Sequence, residues 1–233
     1  MNKVSSLSIF FPCYNEAKNL RVLLRQILKV IPYLIKDYEV LVIDDGSIDD
    51  TQAVVGEFAK IDSRIKLITH LQNLGYGAAL KTGFKNATKE WVFFTDADLQ
   101  FSIMELEKFL VLADTYQVII GYRKKRSEGW RRKMNAWFLK IAAFLFFGLK
   151  YKDIDCAFKL VKKSTLNTIR LKSNGAMIST ELLIKLKKNK FKIKEISVSH
   201  FRRKYGQSTG SNSDVLFRAF LELWILVFDV YRF

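Results

Sequence analysis

The sequence predicts an α/β protein built on a largely parallel β-sheet with helices on both faces. Three observations carry that prediction. Short apolar runs alternate with amphipathic helical repeats along the first half of the chain. Those runs read as strands buried on both faces. Polar clusters sit where the runs end: Tyr14-Asn15-Glu16, Asp44-Asp45, Asp96-Ala97-Asp98 and Arg123. In open parallel sheets, ligands bind beyond the carboxyl ends of the strands.

The elements follow in order. Leu7–Phe11 reads as a buried strand, after which Asn15 and Glu16 open a helix. Leu20, Leu23, Leu24, Ile27 and Ile31 recur at helical spacing, and Pro32 is expected to stop that helix. Glu39–Ile43 is the second strand. Ser47 followed by Asp50 predicts a capping box for a helix reaching about Lys60. Ile65–Thr69 is the third strand, and Gly75–Gly83 leads into a short helix. Trp91–Thr95 is the fourth strand. Ser102 with Glu105 predicts another cap, for a helix running to Ala113. Val118–Gly121 is the fifth strand.

The composition narrows the function. With 233 residues, one domain is favoured, large enough to need no disulfide or metal staple. Hydrophobic residues at 49% and only 2 prolines exclude a disordered linker. Lys and Arg number 39 against 23 Asp and Glu, so the net charge is +16 and an anionic partner is expected. Cys13 and Cys156 fit no disulfide framework or zinc pattern and read as reduced thiols of a cytosolic protein. No leader peptide is visible. The longest apolar stretch, Ala136 to Leu149, is interrupted by Lys140 and is too short to span a bilayer.

Beyond Arg123 the character changes. Arg123 to Lys152 holds ten basic residues and one acid, with Trp130, Trp137, Phe138, Phe144, Phe146, Phe147 and Tyr151 interleaved. Asp214–Phe233 is likewise apolar and aromatic with scattered charges. Both stretches read as amphipathic helices lying on a surface, either a membrane interface or each other.

Asp96-Ala97-Asp98 is the sharpest chemical feature. Two carboxylates one residue apart at a strand end suit a hard divalent cation, which shares its oxygen ligands with a substrate phosphate. Asp44-Asp45-Gly46-Ser47 offers carboxylates to a ribose or base, or closes a turn. Gly75-Tyr76-Gly77 is no dinucleotide fingerprint, because Leu80 stands where the third glycine belongs. The phosphate-loop pattern is absent, since Lys81-Thr82 lacks its preceding glycine.

Seven motifs then occur in order: Pro12-Cys13-Tyr14-Asn15-Glu16, Val42 through Ser47, Asn73-Leu74-Gly75 through Gly83, Asp96 through Gln100, Gly121-Tyr122-Arg123, Asp153 through Leu160, and Arg203 through Ser208. The set resembles family-two glycosyltransferases of the GT-A fold. Within them it is most similar to the dolichol-phosphate mannose synthase and polyprenyl-phosphate glycosyltransferase branch. The resemblance implies a Rossmann-like, mixed, mostly parallel sheet. It covers about residues 5 to 210, and with the two amphipathic stretches the chain reads as a catalytic domain over 1–212, with a membrane-interface helix at 130–150, followed by an apolar amphipathic helix at 213–233.

The resemblance also implies roles. Pro12, Tyr14, Glu16, Asp44 and Asp45 would line the nucleotide pocket, and Asp96 and Ala97 would touch the nucleotide-sugar. Asp96, Asp98 and Gln100 would surround Mg²⁺ or Mn²⁺. Arg123 and Arg203 would grip phosphates, a task suited to forked guanidinium groups. Asp153 matches the acidic start of the acceptor-side motif, and Asp155 lies close by. Thr209 stands where some synthases carry a phosphate-binding lysine.

The reaction implied is inverting transfer of a hexose from a nucleotide-diphosphate sugar to a polyprenyl phosphate. The enzyme would work peripherally on an anionic membrane at its cytoplasmic face, with the C-terminal helix adding a contact or pairing subunits. An ionised acceptor phosphate needs little help from a base; a sugar hydroxyl would need one, from Asp153 or Asp155. Two other readings are a cytosolic glycosyltransferase acting on a saccharide or protein hydroxyl, and a basic nucleic-acid-binding module. The second leaves the acid pairs unexplained.

Overall fold

The computed structural model describes residues 4–124, 130–206 and 221–228. A seven-stranded sheet forms its centre, in the order β3-β2-β1-β4-β6-β5-β7. The strands are β1 (Ser6–Cys13), β2 (Asp37–Asp44), β3 (Ile65–Thr69), β4 (Trp91–Phe94), β5 (Val118–Arg123), β6 (Lys159–Lys162) and β7 (Ile193–Val198). Neighbours run parallel except β6, which is antiparallel to both β4 and β5. The chain builds outward from β1 through β2 to β3, then returns to lay β4 on the other side of β1. The switch point therefore lies between β1 and β4, where an open parallel sheet leaves a crevice.

The helices are α1 (Ala17–Leu34), α2 (Thr51–Ile61), α3 (Tyr76–Asn86), α4 (Leu106–Leu112), α5 (Trp130–Phe147), α6 (Lys163–Leu166) and α7 (Ile178–Lys188). A further helix, α8, covers 221–228. Side chains alternate across the sheet, so β1 feeds two cores. Ile9 and Phe11 pack with Leu20, Leu24, Phe58 and Phe109 on one face. Phe10 points the other way, stacked on Phe94 at 5.4 Å and edge-on to Phe84 at 5.2 Å. Burying each such ring contributes roughly 1.5–3 kcal/mol. The second core also takes Leu182 and Leu183 of α7 and Leu223 and Leu226 of α8.

Several local expectations change. Pro32 does not stop α1, which continues to Leu34. In the last turn, the missing N–H of a proline and its clash with the carbonyl four residues back spoil little remaining helix. The expected capping boxes do not form, and one member of each is used between segments instead. The Ser47 hydroxyl accepts the Asn15 N–H at 2.8 Å, and Asp50 makes no side-chain cap. Asp49 takes over at α2, accepting the Thr51 N–H at 3.0 Å. Ser102 makes no side-chain cap, and Glu105 instead accepts the Ser199 N–H at 3.2 Å. The fifth strand runs on to Arg123.

Cys13 and Cys156 are both buried and free. At the rim where β2 starts, buried Glu39 accepts hydrogen bonds from Ser8, Thr88 and Lys66. Of the two expected surface helices, α5 spans most of 130–150, and 221–228 is the described part of 213–233. Gln207, Ser208 and Thr209 lie outside the described residues.

Candidate active site

The site assembles at the carboxyl rim of the sheet, around the switch point. β1 ends at Cys13 and the chain turns through Asn15, held at a left-handed φ of 56°. Its amide oxygen accepts the Ile48 N–H at 2.8 Å, and the Glu16 N–H donates to Thr51 Oγ1 at 3.0 Å. The loops after β1 and β2 are thus laced together, which fixes Glu16 above the crevice. Pro12 pairs with Ile43 inside the sheet, while Tyr14 stands exposed on the loop.

β4 delivers the acid pair from the other side. Asp98 is buried and Asp96 half-buried, with buried Ala97 between them. Leu99 adopts φ 61°, uncommon for a non-glycine residue and a mark of backbone held for a purpose. That turn lets Asp98 Oδ1 accept the Gln100 N–H at 3.1 Å. Gln100 in turn grips the segment after β7: its carbonyl accepts the Phe201 N–H at 2.9 Å, and its amide donates to the Phe201 carbonyl at 3.1 Å.

This draws Arg203 over the rim. Its guanidinium donates to Glu16 Oε1 and, from Nε, to the Tyr205 carbonyl at 2.7 Å. Its Nη1 stands 3.5 Å from Asp98 Oδ2. One cation therefore bridges an acid after β1 and an acid after β4.

The electrostatics are short of positive charge. Burial, then the neighbouring Asp96, pushes the Asp98 carboxyl up to about 7, against the pull of the Gln100 N–H and Arg203. Burial also raises Glu16, although Asn19 and Arg203 hold it back. Tyr76, at the start of α3, bonds through its hydroxyl to Asp96, and burial together with that charge raises its phenol. Among the described residues two buried side-chain atoms have no hydrogen-bond partner, Thr95 Oγ1 and Asn19 Oδ1. Both adjoin this cluster, one preceding Asp96 and the other on the side chain that donates to Glu16 at 2.5 Å.

These features fit a divalent cation, which would reverse the carboxylate repulsion. Among the described residues no group of three or more His, Cys, Asp or Glu is placed to hold a metal alone. A hard cation at Asp96 and Asp98 would need further oxygen ligands, such as those a substrate diphosphate carries.

The other expected residues make contacts within the protein. Asp44 is fully buried, with one oxygen accepting the Ser47 N–H at 3.0 Å and the other Gln52 Nε2 at 2.8 Å. Asp45 clamps the loop after β3, accepting the Leu74 and Gly75 N–H groups at 2.9 and 2.8 Å. Its Oδ1 also meets His70 Nδ1 at 2.6 Å, and His70 Nε2 meets Thr82 Oγ1 at 2.9 Å. Both aspartates thus hold loops of the rim together.

Arg123, expected to grip a phosphate, and Asp153, expected on the acceptor side, pair with each other on the rim. Arg123 Nε and Nη2 donate to Asp153 Oδ2 and Oδ1 at 2.6 and 2.9 Å. Both side chains are buried, and charges out of water must neutralise one another. Because β6 is antiparallel, its preceding turn lies on this same rim, and that turn carries Asp153 and half-buried Asp155. Tyr76 and Asn19 were missed. The only sequence signal for Tyr76 was its place between Gly75 and Gly77, at the mouth of a helix facing the rim.

A mostly parallel sheet with one antiparallel strand, bearing an acid pair at its switch point, is the architecture of a GT-A glycosyltransferase. The chain belongs to glycosyl transferase family 2, whose profile matches residues 8–170. It is 28% identical over 98% of its length to an undecaprenyl-phosphate 4-deoxy-4-formamido-L-arabinose transferase of Proteus mirabilis, covering 67% of that protein. It is 30% identical over 88% of its length to the protein of the same name from Sodalis glossinidius, covering 63% of it. The chain thus spans about two thirds of the length of these relatives. Among solved structures it resembles glucosyl-3-phosphoglycerate synthase of Mycobacterium tuberculosis in complex with Mn²⁺, UDP-glucose and phosphoglyceric acid. The TM-score is 0.72 at 16% identity, over 96% of this chain and 80% of that one, a likeness of fold. The same synthase has also been crystallised with Mg²⁺ and UDP.

Proposed function

We propose that the chain is an inverting glycosyltransferase. It moves a sugar, a hexose in the reading made from the sequence, from a nucleotide diphosphate to a polyprenyl phosphate of the dolichyl or undecaprenyl type. The observation that carries this reading is the meeting of Glu16, Asp98 and Arg203 at the switch point. Family membership and the names of the relatives support the reaction and the acceptor class.

Asp96 and Asp98, with Gln100 beside them, are the residues to hold Mg²⁺ or Mn²⁺, which when bound would neutralise charge on the departing diphosphate. Pro12, Tyr14, Glu16, Asp96 and Ala97 bound the donor crevice, and Asp44 and Asp45 set its back wall. Arg203 carries its fork at the mouth of the crevice, where it offers N–H donors to phosphate oxygens. An acceptor phosphate oxygen attacks the anomeric carbon as the bond to the diphosphate oxygen breaks. A phosphate monoester has its second pKa near about 6, so no proton need be removed first. Asp153, pinned by Arg123, keeps the acceptor end of the rim in shape beside Asp155.

The acceptor resides in a membrane, and among the described residues no helix is long and apolar enough to cross one. We read α5 and α8 as the contact with an anionic membrane surface at its cytoplasmic face. Trp137, Phe144 and Leu145 on α5 and Trp224, Ile225 and Phe228 on α8 are exposed. Phe146 and Trp224, 5.9 Å apart, join the two into one patch. Lysines near the ends of such helices would each add about 1 kcal/mol on an anionic leaflet.

The test is transfer from labelled UDP- and GDP-sugars, hexose and aminopentose alike, with Mn²⁺, to undecaprenyl phosphate in liposomes or to soluble saccharides. Label in the lipid phase supports the proposal. Transfer to saccharide alone overturns the acceptor assignment, and no transfer with any donor overturns the reading as a whole.

A further inference from the structure

We infer that Glu222 on α8 is a positioning residue for Asp96, acting through a single turn and the first residues of α3. The inference rests on the reading of Asp96 as part of the donor and metal site.

The contacts are continuous. Glu222 Oε1 accepts the N–H groups of Asn174 and Gly175 at 3.1 and 2.7 Å, and Oε2 accepts that of Met177 at 3.3 Å. The turn is shaped around this carboxylate, since a Cβ on Gly175 would lie 2.9 Å from Glu222 Oε2. On its other side, buried Glu181 accepts the Lys172 and Ser173 N–H groups at 2.9 and 2.8 Å. Two carboxylates thus hold five backbone donors and leave the turn one orientation.

That orientation aims the Asn174 carbonyl at the start of α3. It accepts the Gly77 N–H at 2.8 Å and the Ala78 N–H at 3.3 Å. A helix start leaves such donors unmet, and α3 has no side-chain cap of its own. The fit is close: a Cβ on Gly75 would lie 2.7 Å from the Asn174 oxygen, and one on Gly77 2.7 Å from its carbonyl carbon. The Gly75-Tyr76-Gly77 pattern, which lacks the third glycine of a dinucleotide fingerprint, forms the seat of this turn. Between the two glycines stands Tyr76, whose hydroxyl bonds to Asp96. Glu222 therefore sets the turn, the turn sets the first residues of α3, and Tyr76 sets the carboxylate. The outer face of α8 carries Trp224, Ile225 and Phe228, so the helix proposed to meet the membrane also braces the metal motif.

The experiment is a double-mutant cycle on Glu222→Gln and Tyr76→Phe. Affinity for UDP and GDP with Mn²⁺ is measured by calorimetry, alongside hydrogen exchange of the ligand-free chain. Each single variant should weaken nucleotide binding about threefold to tenfold, and the double variant no further, because coupled residues are non-additive. Glu222→Gln should speed exchange at 76–79 as well as at 174–178. Gly175→Ala, which crowds the same carboxylate, should repeat both effects if Glu222→Gln folds poorly. Additive losses, or faster exchange confined to 174–178 with affinity unchanged, overturn the inference. Absence of any Mn²⁺-dependent nucleotide binding by the wild type is the distinct result that removes the site reading, and this inference with it.

Discussion

Arg203 and Glu16, 187 positions apart in the chain, share a hydrogen bond at the mouth of the crevice between β1 and β4. Asp98, after β4, lies within 3.5 Å of the same guanidinium. Replacing Arg203 with Ala leaves those acids without the cation that bridges them and removes the donors proposed to face the leaving group. Steady-state kinetics should show kcat/KM reduced by about a hundredfold or more. Arg203→Lys should recover only part, because an ammonium cannot reproduce the fork.

Nucleotide binding should depend on pH through Asp98. Its carboxyl is raised to about 7 by burial and then by Asp96, so near neutrality much of it carries a proton that a metal bound as proposed would have to displace. Apparent Mn²⁺ affinity should therefore fall about tenfold per pH unit below that value and level off above it. Calorimetry across this range on wild type and Asp98→Asn checks it. The variant should bind weakly at every pH, without the slope.

The Arg123–Asp153 pair predicts a stability effect. Removing one partner strands a buried charge, so Arg123→Met or Asp153→Leu alone should cost about 3–5 kcal/mol. The double variant should recover much of that loss in urea unfolding, since neither charge is then left unpaired. An equal loss in the double variant would mean that packing, not charge, sets the cost.

Acid should destabilise the fold through Glu39. Burial opposes its charge, but hydrogen bonds from Thr88, Ser8 and Lys66 outweigh it and hold the carboxyl below its ordinary value. A carboxyl lowered on folding gives stability present above its unfolded pKa and lost as pH falls through the folded one. Unfolding free energies between about pH 7 and about pH 3 should therefore fall more steeply for wild type than for Glu39→Gln.

Flotation should report the surface role of α5 and α8. The chain should float with anionic liposomes at low salt and release at high salt, as a screened attraction does. Trp224→Ser with Phe228→Ser should weaken flotation and leave activity toward a water-soluble short-chain prenyl phosphate near wild type.

β1, β2 and β4 were legible because short apolar runs ending in acid-bearing clusters have few other structural meanings. The acid pair at Asp96 and Asp98 was legible for the same reason. β6 was not, because Lys159 sits in its buried run, donating to the carbonyls of Ile154 and Cys156. A lysine inside a central strand reads as surface until its partners are known. β7, with Lys194 and Glu195 among its apolar residues, hides in the same way. Pairings between distant segments were also invisible. Periodicity within one segment carries no sign that Arg123 will close on Asp153, that Asp45 will clamp Gly75, or that Ser47 will serve Asn15 rather than its own helix.

The most direct measurement is the anomalous signal of Mn²⁺ in crystals grown with a nucleoside diphosphate. One peak is expected within coordination distance of Asp96 and Asp98 carboxylate oxygens, with the diphosphate on its other side and Arg203 facing the phosphates. A diphosphate bound away from the β1–β4 crevice, or a metal that touches neither aspartate, would contradict it.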